Sequence, residues 1–240
     1  MRHIDLSKVM VLDIETASMA PSYDELNEHW KLLWQGKTAY QLPADSTPDD
    51  FYKHRAGVMA EFSRVVCISV AVFTRSKDGE GMRLKSIYHE EEKVLLQEWA
   101  NLVEQKQWIF GGHNIREFDL PFLCRRMIIH GIPIPMSLDF QNKKPWEIQV
   151  LDTFQYWRFG DYKNFTSLQL LASALGLPSP KDDINGSMVG ELFWEPDEIK
   201  RKDNIERIIK YCQKDVITTA QIIRRFRYEQ LITEDKIVIT

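Results

Sequence analysis

Short apolar runs of strand length recur along the chain. Residues 9–14 form a nearly continuous apolar run, which predicts a strand that is buried on both faces. Residues 65–74 are rich in β-branched side chains and predict a long second strand, with residues 82–89 as its hairpin partner. Two shorter runs, at residues 108–110 and 148–151, predict further strands.

Segments with helical periodicity separate or follow these strands. Apolar side chains recur three and four positions apart in residues 90–105, 118–130, 166–175 and 204–228, as they do in amphipathic helices. The second of these segments has Pro121 in its first turn, where proline is tolerated. This order of strands and helices predicts an α/β fold with a mixed sheet and helices on both faces.

Residues 18–62 interrupt the alternation. They combine prolines, acidic residues and aromatic side chains, and only residues 24–33 suggest a helix. We interpret this segment as an insertion that forms a loop or lid. Because no sharp change of composition marks a second unit, residues 1–240 are expected to form a single domain.

Composition and charge exclude several classes of protein. Apolar residues make up 44% of the chain and charged residues 28%, which excludes a disordered or low-complexity protein. The net charge of −4 is unlike that of a protein that coats duplex DNA, so any nucleic-acid contact should be a local groove. No apolar run approaches the roughly 18 residues of a membrane span, and an early charge argues against a signal peptide. Three widely spaced cysteines fit a reducing cytoplasm.

The first group with chemical potential ends the first predicted strand. Asp13 and Glu15 are separated by one residue, so alternation along the strand places both carboxylates on one face. The two groups repel each other in apolar surroundings unless a divalent cation lies between them. A polar strand end, with Thr16 as a helix cap, is the alternative interpretation.

The second group follows a strand closed by Gly111 and Gly112, and it consists of Asn114, Phe118 and Asp119. The glycines would let a backbone or a ligand come close. Asp119 would lie at a helix start with its carboxylate directed back to the sheet edge. The alternative is a structural cap for that helix.

The third group lies on the last predicted helix. Tyr211 and Asp215 are four residues apart and therefore share one helix face. Their apolar neighbours place Asp215 near the core, where a carboxylate needs a partner. An ion pair with Arg207, Lys210 or Lys214 is the structural alternative.

In order, the three groups have the patterns Asp-x-Glu, Asn-x-x-x-Phe-Asp-x-Pro and Tyr-x-x-x-Asp. They resemble the three exonuclease motifs of the DEDD superfamily, tyrosine subclass, and in particular the proofreading 3′→5′ exonuclease domain of family B DNA polymerases. The similarity extends to the segments Ser167-Leu-x-Leu-Leu and Gly176-Leu-Pro-Ser-Pro-Lys181, and so covers residues 9–225. The chain resembles a stand-alone exonuclease of that branch.

This resemblance implies a ribonuclease H-like α/β fold, with a mixed five-stranded sheet flanked by helices. It also implies two divalent cations, Mg²⁺ or Mn²⁺, on either side of the scissile phosphate. Tyr211 would orient the attacking water, because a phenol with a pKa near 10 is a poor base at neutral pH. The metal ligands that the resemblance implies are Asp13, Glu15, Asp119 and Asp215, which form the catalytic set together with Tyr211.

Contacts to the terminal nucleotides are expected from a further set of residues. Phe118 would stack on a base, with packing in the core as its alternative. Asp152 closes a predicted strand near the metal site, where a structural role is the alternative. Lys181 would reach a phosphate or remain a solvated loop lysine. The candidate substrate-binding residues are Thr16, Asn114, Phe118, Asp152 and Lys181.

Three functions fit these observations. The leading hypothesis is a metal-dependent 3′→5′ exonuclease that acts on single-stranded DNA ends and releases nucleoside monophosphates. An exoribonuclease of the same superfamily is the first alternative, because the discrimination between RNA and DNA depends on contacts to the 2′-OH, which a sequence does not locate. A catalytically silent nucleic-acid-binding domain is the second. The expected partners are single-stranded 3′ ends, with DNA favoured, together with a polymerase or repair protein, and no membrane.

Overall fold

The computed structural model describes every residue of the chain except 2, 44, 78, 142, 145–146 and 179–182. The described strands are β1 (Val9–Ser18), β2 (Ser63–Ser76), β3 (Gly79–Tyr88), β4 (Ile109–Gly112), β5 (Val150–Asp152) and β6 (Ile237–Ile239). They form one sheet in the order β5-β4-β1-β2-β3-β6.

The strand directions give a mixed sheet. β1 pairs antiparallel with β2, β2 pairs antiparallel with β3, and β4 and β5 continue the sheet from β1 in parallel. This arrangement confirms the predicted ribonuclease H-like α/β fold. The predicted number of five strands was wrong, because β6 adds a sixth by pairing in parallel with β3 at the sheet edge. β6 is only three residues long, too short for a periodicity to indicate it.

The helices of the described residues are α1 (Glu28–Thr38), α2 (Pro48–Arg55), α3 (Glu92–Glu104), α4 (Asp119–Ile129), α5 (Thr153–Arg158), α6 (Leu168–Ala174), α7 (Val189–Phe193) and α8 (Glu198–Arg227). The four periodic segments correspond to α3, α4, α6 and α8. The suggested helix in the insertion begins four residues later than expected, because the Asn27 side chain accepts the N–H of Trp30 and caps α1 there. No described helix is both long and apolar enough to cross a membrane.

Alternation along β1 divides the interior into two layers. Leu12 and Ile14 pack against α3 and α4, whereas Val9 and Val11 pack against α8. Asp13 and Glu15, the two acidic residues of the first motif, are the next odd-numbered positions of β1. They therefore lie on the face of the sheet that α8 covers.

The insertion has an apolar cluster of its own. Trp34, Tyr52 and Phe62 are almost fully buried within it and meet edge to face, at ring-centroid distances of 5.1 Å for each pair with Trp34. The Thr16 hydroxyl joins this layer to β1 by donating to the carbonyl oxygen of Gly57 at 2.6 Å. The insertion is therefore attached beside the carboxyl end of β1.

Candidate active site

The first two acidic residues of the site lie near the middle of β1, because the strand continues to Ser18, beyond the end that the sequence predicts. Glu15 is 7% exposed and Asp13 is partly exposed. The pairing of β1 with β2 shifts register between Glu15 and Thr16, a bulge after which the pairing continues to Ser18. One carboxylate oxygen from each acid and the sulfur of Cys212 all lie within 4.8 Å of one another, a grouping that could hold a metal ion.

Cys212 is a site residue to which the sequence analysis assigned no role. Its sulfur lies 3.3 Å from the main-chain oxygen of Asp13 and 3.4 Å from Asp13 Oδ2, and the thiol donates to both. Burial raises the pKa of the Cys212 thiol, and a hydrogen bond with Cys67 and the nearby carboxylates raise it further. The signal that could have indicated Cys212 is its position three residues before Asp215 on the same helix.

The third acid comes from the start of α4. Asp119 is 4% exposed, and its Oδ1 accepts the main-chain N–H of Ile14 at 3.2 Å. The carboxylate is therefore directed back to β1, as the sequence predicts. Burial raises the pKa of Asp119 to about 7, although hydrogen bonds from its own N–H and that of Ile14 act in the opposite direction.

The acidic groups interact strongly with one another. Burial raises the pKa of Asp13 well above its usual range, and the carboxylates of Asp119 and Asp215 raise it further. Burial likewise raises the pKa of Glu15, and Asp13 is the largest of the charges that add to this effect. Ionising all four groups at neutral pH therefore costs free energy, which a bound divalent cation would offset.

α8 contributes the remaining two residues of the predicted set. Tyr211 and Asp215 are both partly buried, and a hydrogen bond joins their side chains. Burial raises the pKa of the Tyr211 hydroxyl above its usual value, and the charges of Asp215, Glu15 and Asp13 raise it further. The hydroxyl therefore stays protonated and acts as a hydrogen-bond donor.

The segment between β4 and α4 shows two local constraints. A Cβ added at Gly112 would lie 2.5 Å from Cβ of Ile115, so only glycine allows this close approach. Asn114 follows in the left-handed region, with φ of 62°. Among the described residues, its buried Oδ1 has no hydrogen-bond partner. An unpartnered buried amide is costly, and a ligand could relieve that cost.

Asp152 shapes this segment through its carboxylate. Oδ1 accepts the main-chain N–H groups of Asn114, Phe154 and Gln155, at 3.0, 3.0 and 3.2 Å. Oδ2 accepts the N–H of Arg116 at 3.1 Å. The two oxygens thus cap α5 and hold the turn that contains Asn114 and Arg116. These contacts favour a structural role for Asp152 over a contact with substrate.

The other candidate substrate residues have different surroundings. The Thr16 side chain binds Gly57, which leaves only its main chain for a ligand. Phe118 is partly buried and packs against Phe122, with ring centroids 5.4 Å apart, at the margin of the α3–α4 layer. Lys181 lies outside the described residues.

The fold is of the ribonuclease H-like class, and the acidic cluster fits a nuclease of that class. Residues 58–236 match the family described as a predicted 3′-5′ exonuclease related to the exonuclease domain of PolB. The match spans about three quarters of the chain, and the chain belongs to this family. Asp119, Tyr211 and Asp215 lie inside the matched region, whereas Asp13 and Glu15 precede it. A search of curated proteins finds no match to this chain.

Proposed function

We propose that this chain is a metal-dependent exonuclease of the tyrosine DEDD subclass, which hydrolyses phosphodiester bonds at the 3′ ends of single-stranded DNA. Its products would be nucleoside monophosphates. The observation that carries the proposal is the convergence of carboxylates from β1, α4 and α8 beside the middle of β1. These carboxylates are Asp13, Glu15, Asp119 and Asp215.

The chemistry of these donors fits Mg²⁺ or Mn²⁺. Carboxylate oxygens are hard ligands, and their mutually raised pKa values indicate more negative charge than the empty cluster tolerates well. Asp13, Glu15, Asp119 and Asp215 would hold the cations. Two bound cations would supply a water of lowered pKa and a Lewis acid for the leaving oxygen. Cys212, as a protonated thiol, would keep Asp13 in position by donating to it.

The side chains of this chain would bind and orient the reactants. Tyr211 would orient the attacking water through its hydroxyl oxygen, because the hydroxyl keeps its proton at neutral pH and shares it with Asp215. Asn114 would offer its unpartnered amide to the terminal nucleotide. Thr16, Phe118, Asp152 and Lys181 remain candidate substrate contacts, with weaker support than Asn114.

Two broader expectations belong to the same proposal. Residues 1–240 would form one exonuclease domain, with residues 18–62 inserted beside the substrate cleft. The protein would act in a reducing cytoplasm, which the free thiols of Cys67, Cys124 and Cys212 support. A net charge of −4 suits a cleft that holds a few nucleotides better than a long track for duplex DNA.

Digestion of matched DNA and RNA oligonucleotides, each labelled at the 3′ or the 5′ end, tests this function. We expect stepwise shortening of DNA from its 3′ end with Mn²⁺, and no reaction with EDTA or in the Asp13→Ala variant. A preference for RNA would move the protein to the exoribonuclease alternative. No cleavage by the folded, metal-supplemented protein would contradict the proposal and favour a silent nucleic-acid-binding domain.

A further inference from the structure

The connection between α5 and α6 carries three large aromatic side chains on its surface. Phe159, Tyr162 and Phe165 are 80%, 82% and 72% exposed. Phe159 also has a φ of 46°, a left-handed conformation that side chains of this size rarely adopt. Several exposed rings within seven residues form an apolar patch of the kind that marks a binding surface.

This aromatic loop, residues 159–165, is attached to the part of the chain that bears Asn114. The ring of His113 bridges the two: Nδ1 lies 2.9 Å from Oγ1 of Thr153, and Nε2 lies 3.0 Å from the main-chain oxygen of Thr166. The hydrogen bonds fix both ends of the α5-to-α6 region against the segment that precedes Asp119. The loop that carries the exposed rings is therefore held against the segment that leads to Asp119.

Ring contacts continue from His113 outwards. His113 and Phe154 meet with ring centroids 5.6 Å apart, and Phe154 and Phe165 meet at 5.3 Å. Tyr156 and Phe159 form a second contact at 5.5 Å. Phe154 is buried whereas Phe165 is mostly exposed, so the buried ring supports the exposed one from inside.

Basic groups accompany these rings. The Arg158 guanidinium lies 4.0 Å from the Phe154 ring centroid, and its Nε donates to the main-chain oxygen of Asn164 at 3.2 Å. Its Nη1 is paired with Glu117 at 3.7 Å, so the exposed positive charge of this loop is that of Lys163. Lys163 is exposed, and its main-chain N–H is bound by the carboxylate of Asp161 within the turn. Exposed aromatic rings beside positive charges are the combination that binds single-stranded nucleic acids, through base stacking and phosphate contacts.

We propose that Phe159, Tyr162 and Phe165 form a stacking surface for the bases upstream of the 3′-terminal nucleotide, with Lys163 contacting a phosphate. The inference rests on the proposed function, because it extends the path of the substrate strand. Neighbouring strands of a sheet lie about 4.8 Å apart, so the end of β5 is about 10 Å from β1 across β4. The six residues of α5 add about 9 Å, so the aromatic loop begins within about 20 Å of β1.

The test measures the affinity of two triple variants for labelled oligodeoxythymidylates by fluorescence anisotropy. Ca²⁺ replaces Mn²⁺, and each oligonucleotide is checked to be intact after the measurement. Phe159→Leu/Tyr162→Leu/Phe165→Leu removes the rings but keeps apolar side chains. Phe159→Tyr/Tyr162→Phe/Phe165→Tyr keeps the rings and serves as the matched control. We expect the leucine variant to bind oligonucleotides of about ten bases at least about tenfold more weakly than the wild type, and the control variant to bind them equally well. Oligonucleotides of about three bases should bind all three proteins equally, because they are too short to reach the rings.

Thermal unfolding of each variant checks its fold. Tyr162→Leu alone, at the most exposed of the three rings, provides a milder variant that should still weaken binding about threefold. Equal affinity of the leucine variants and the wild type for the longer oligonucleotide would overturn the inference and leave the rings to a protein partner. If the wild type neither binds nor hydrolyses any oligonucleotide, the proposed function itself fails.

Discussion

Burial and three neighbouring carboxylates keep the Tyr211 hydroxyl in its neutral form. A phenol in that state donates one hydrogen bond but does not take a proton from water at neutral pH. Its hydrogen bond with Asp215 fixes the ring relative to the acidic cluster. The local chemistry of this residue therefore supports a role in orienting the attacking water.

The Tyr211→Phe variant should slow hydrolysis about 10- to 1,000-fold, because positioned hydrogen-bonding groups contribute effects of that order. KM should change little, since the hydroxyl would act mainly in the transition state. The control is Tyr40→Phe, which removes a hydroxyl from a fully exposed tyrosine in the insertion. Steady-state rates equal to those of the wild type would exclude Tyr211 from the site.

Sequence indicates the acidic residues of the site but not all of their neighbours. Asp13 and Glu15 lie on one face because strand alternation requires it, and Asp119 is the first residue of α4, after the turn that follows β4. Cys212 reaches Asp13 only through the way in which α8 docks on the sheet, and no local pattern encodes that docking. The unpartnered amide of Asn114 depends in the same way on the folded turn.

At the scale of elements, a buried ion pair connects α3 with α4. The guanidinium of Arg126 contacts both carboxylate oxygens of Glu92, at 2.9 and 2.5 Å, and donates to the main-chain oxygen of Ala60 at 2.8 Å. Glu92 in turn accepts the N–H of Val65 at 2.8 Å. The pair thus joins the helix that begins with Asp119 to α3, β2 and the insertion.

Replacing Arg126 with methionine should destabilise the protein by about 3–5 kcal/mol, because the buried carboxylate of Glu92 would keep only the His130 ring as a side-chain partner. The neighbouring Arg125 is exposed on the same helix, and Arg125→Met should change stability by less than about 0.5 kcal/mol. Urea unfolding measures both values. Similar losses in the two variants would show that the ion pair is not responsible.

The long elements and the short strands β4 and β5 could be predicted from the sequence, whereas the shortest helices could not. α3, α4 and α8 extend over enough turns for their periodicity to be read, and β1 and β2 contain long apolar runs. α5 and α7 have six and five residues, too few to show a period. α5 is instead started by the Asp152 cap, whose partners become apparent only in the fold.

At the scale of the whole molecule, the acidic cluster links stability to pH and to metal. The pKa values of Asp13, Glu15 and Asp119 are raised in the folded state, so the folded protein binds more protons than the unfolded chain above about pH 4. The stabilising effect of these protonated groups is present at low pH and is lost as pH rises through the folded pKa values, about 7 for Asp119. Cations bind the ionised form, so their stabilising effect should grow with pH.

The metal-free protein should therefore lose stability between about pH 5 and about pH 8, by more than about 1 kcal/mol relative to the Asp119→Asn variant. The asparagine cannot ionise, so the difference between the two proteins reports the titration of Asp119 together with its effect on Asp13. Mn²⁺ should reverse the loss in the wild type. The measurement is the free energy of chemical unfolding at several pH values. If this free energy changed with pH in the same way in the two metal-free proteins, the raised pKa of Asp119 would be contradicted.

The most direct test of the central claim, that the carboxylate cluster hydrolyses 3′ ends, uses two isosteric variants of α8. Asp215→Asn removes a charge from the cluster, and Asp203→Asn removes one from an exposed position of the same helix. Shortening of a 5′-labelled single-stranded DNA with Mn²⁺ should fall at least about 1,000-fold in the first and stay unchanged in the second. Equal rates in both folded variants would contradict the assignment of the active site.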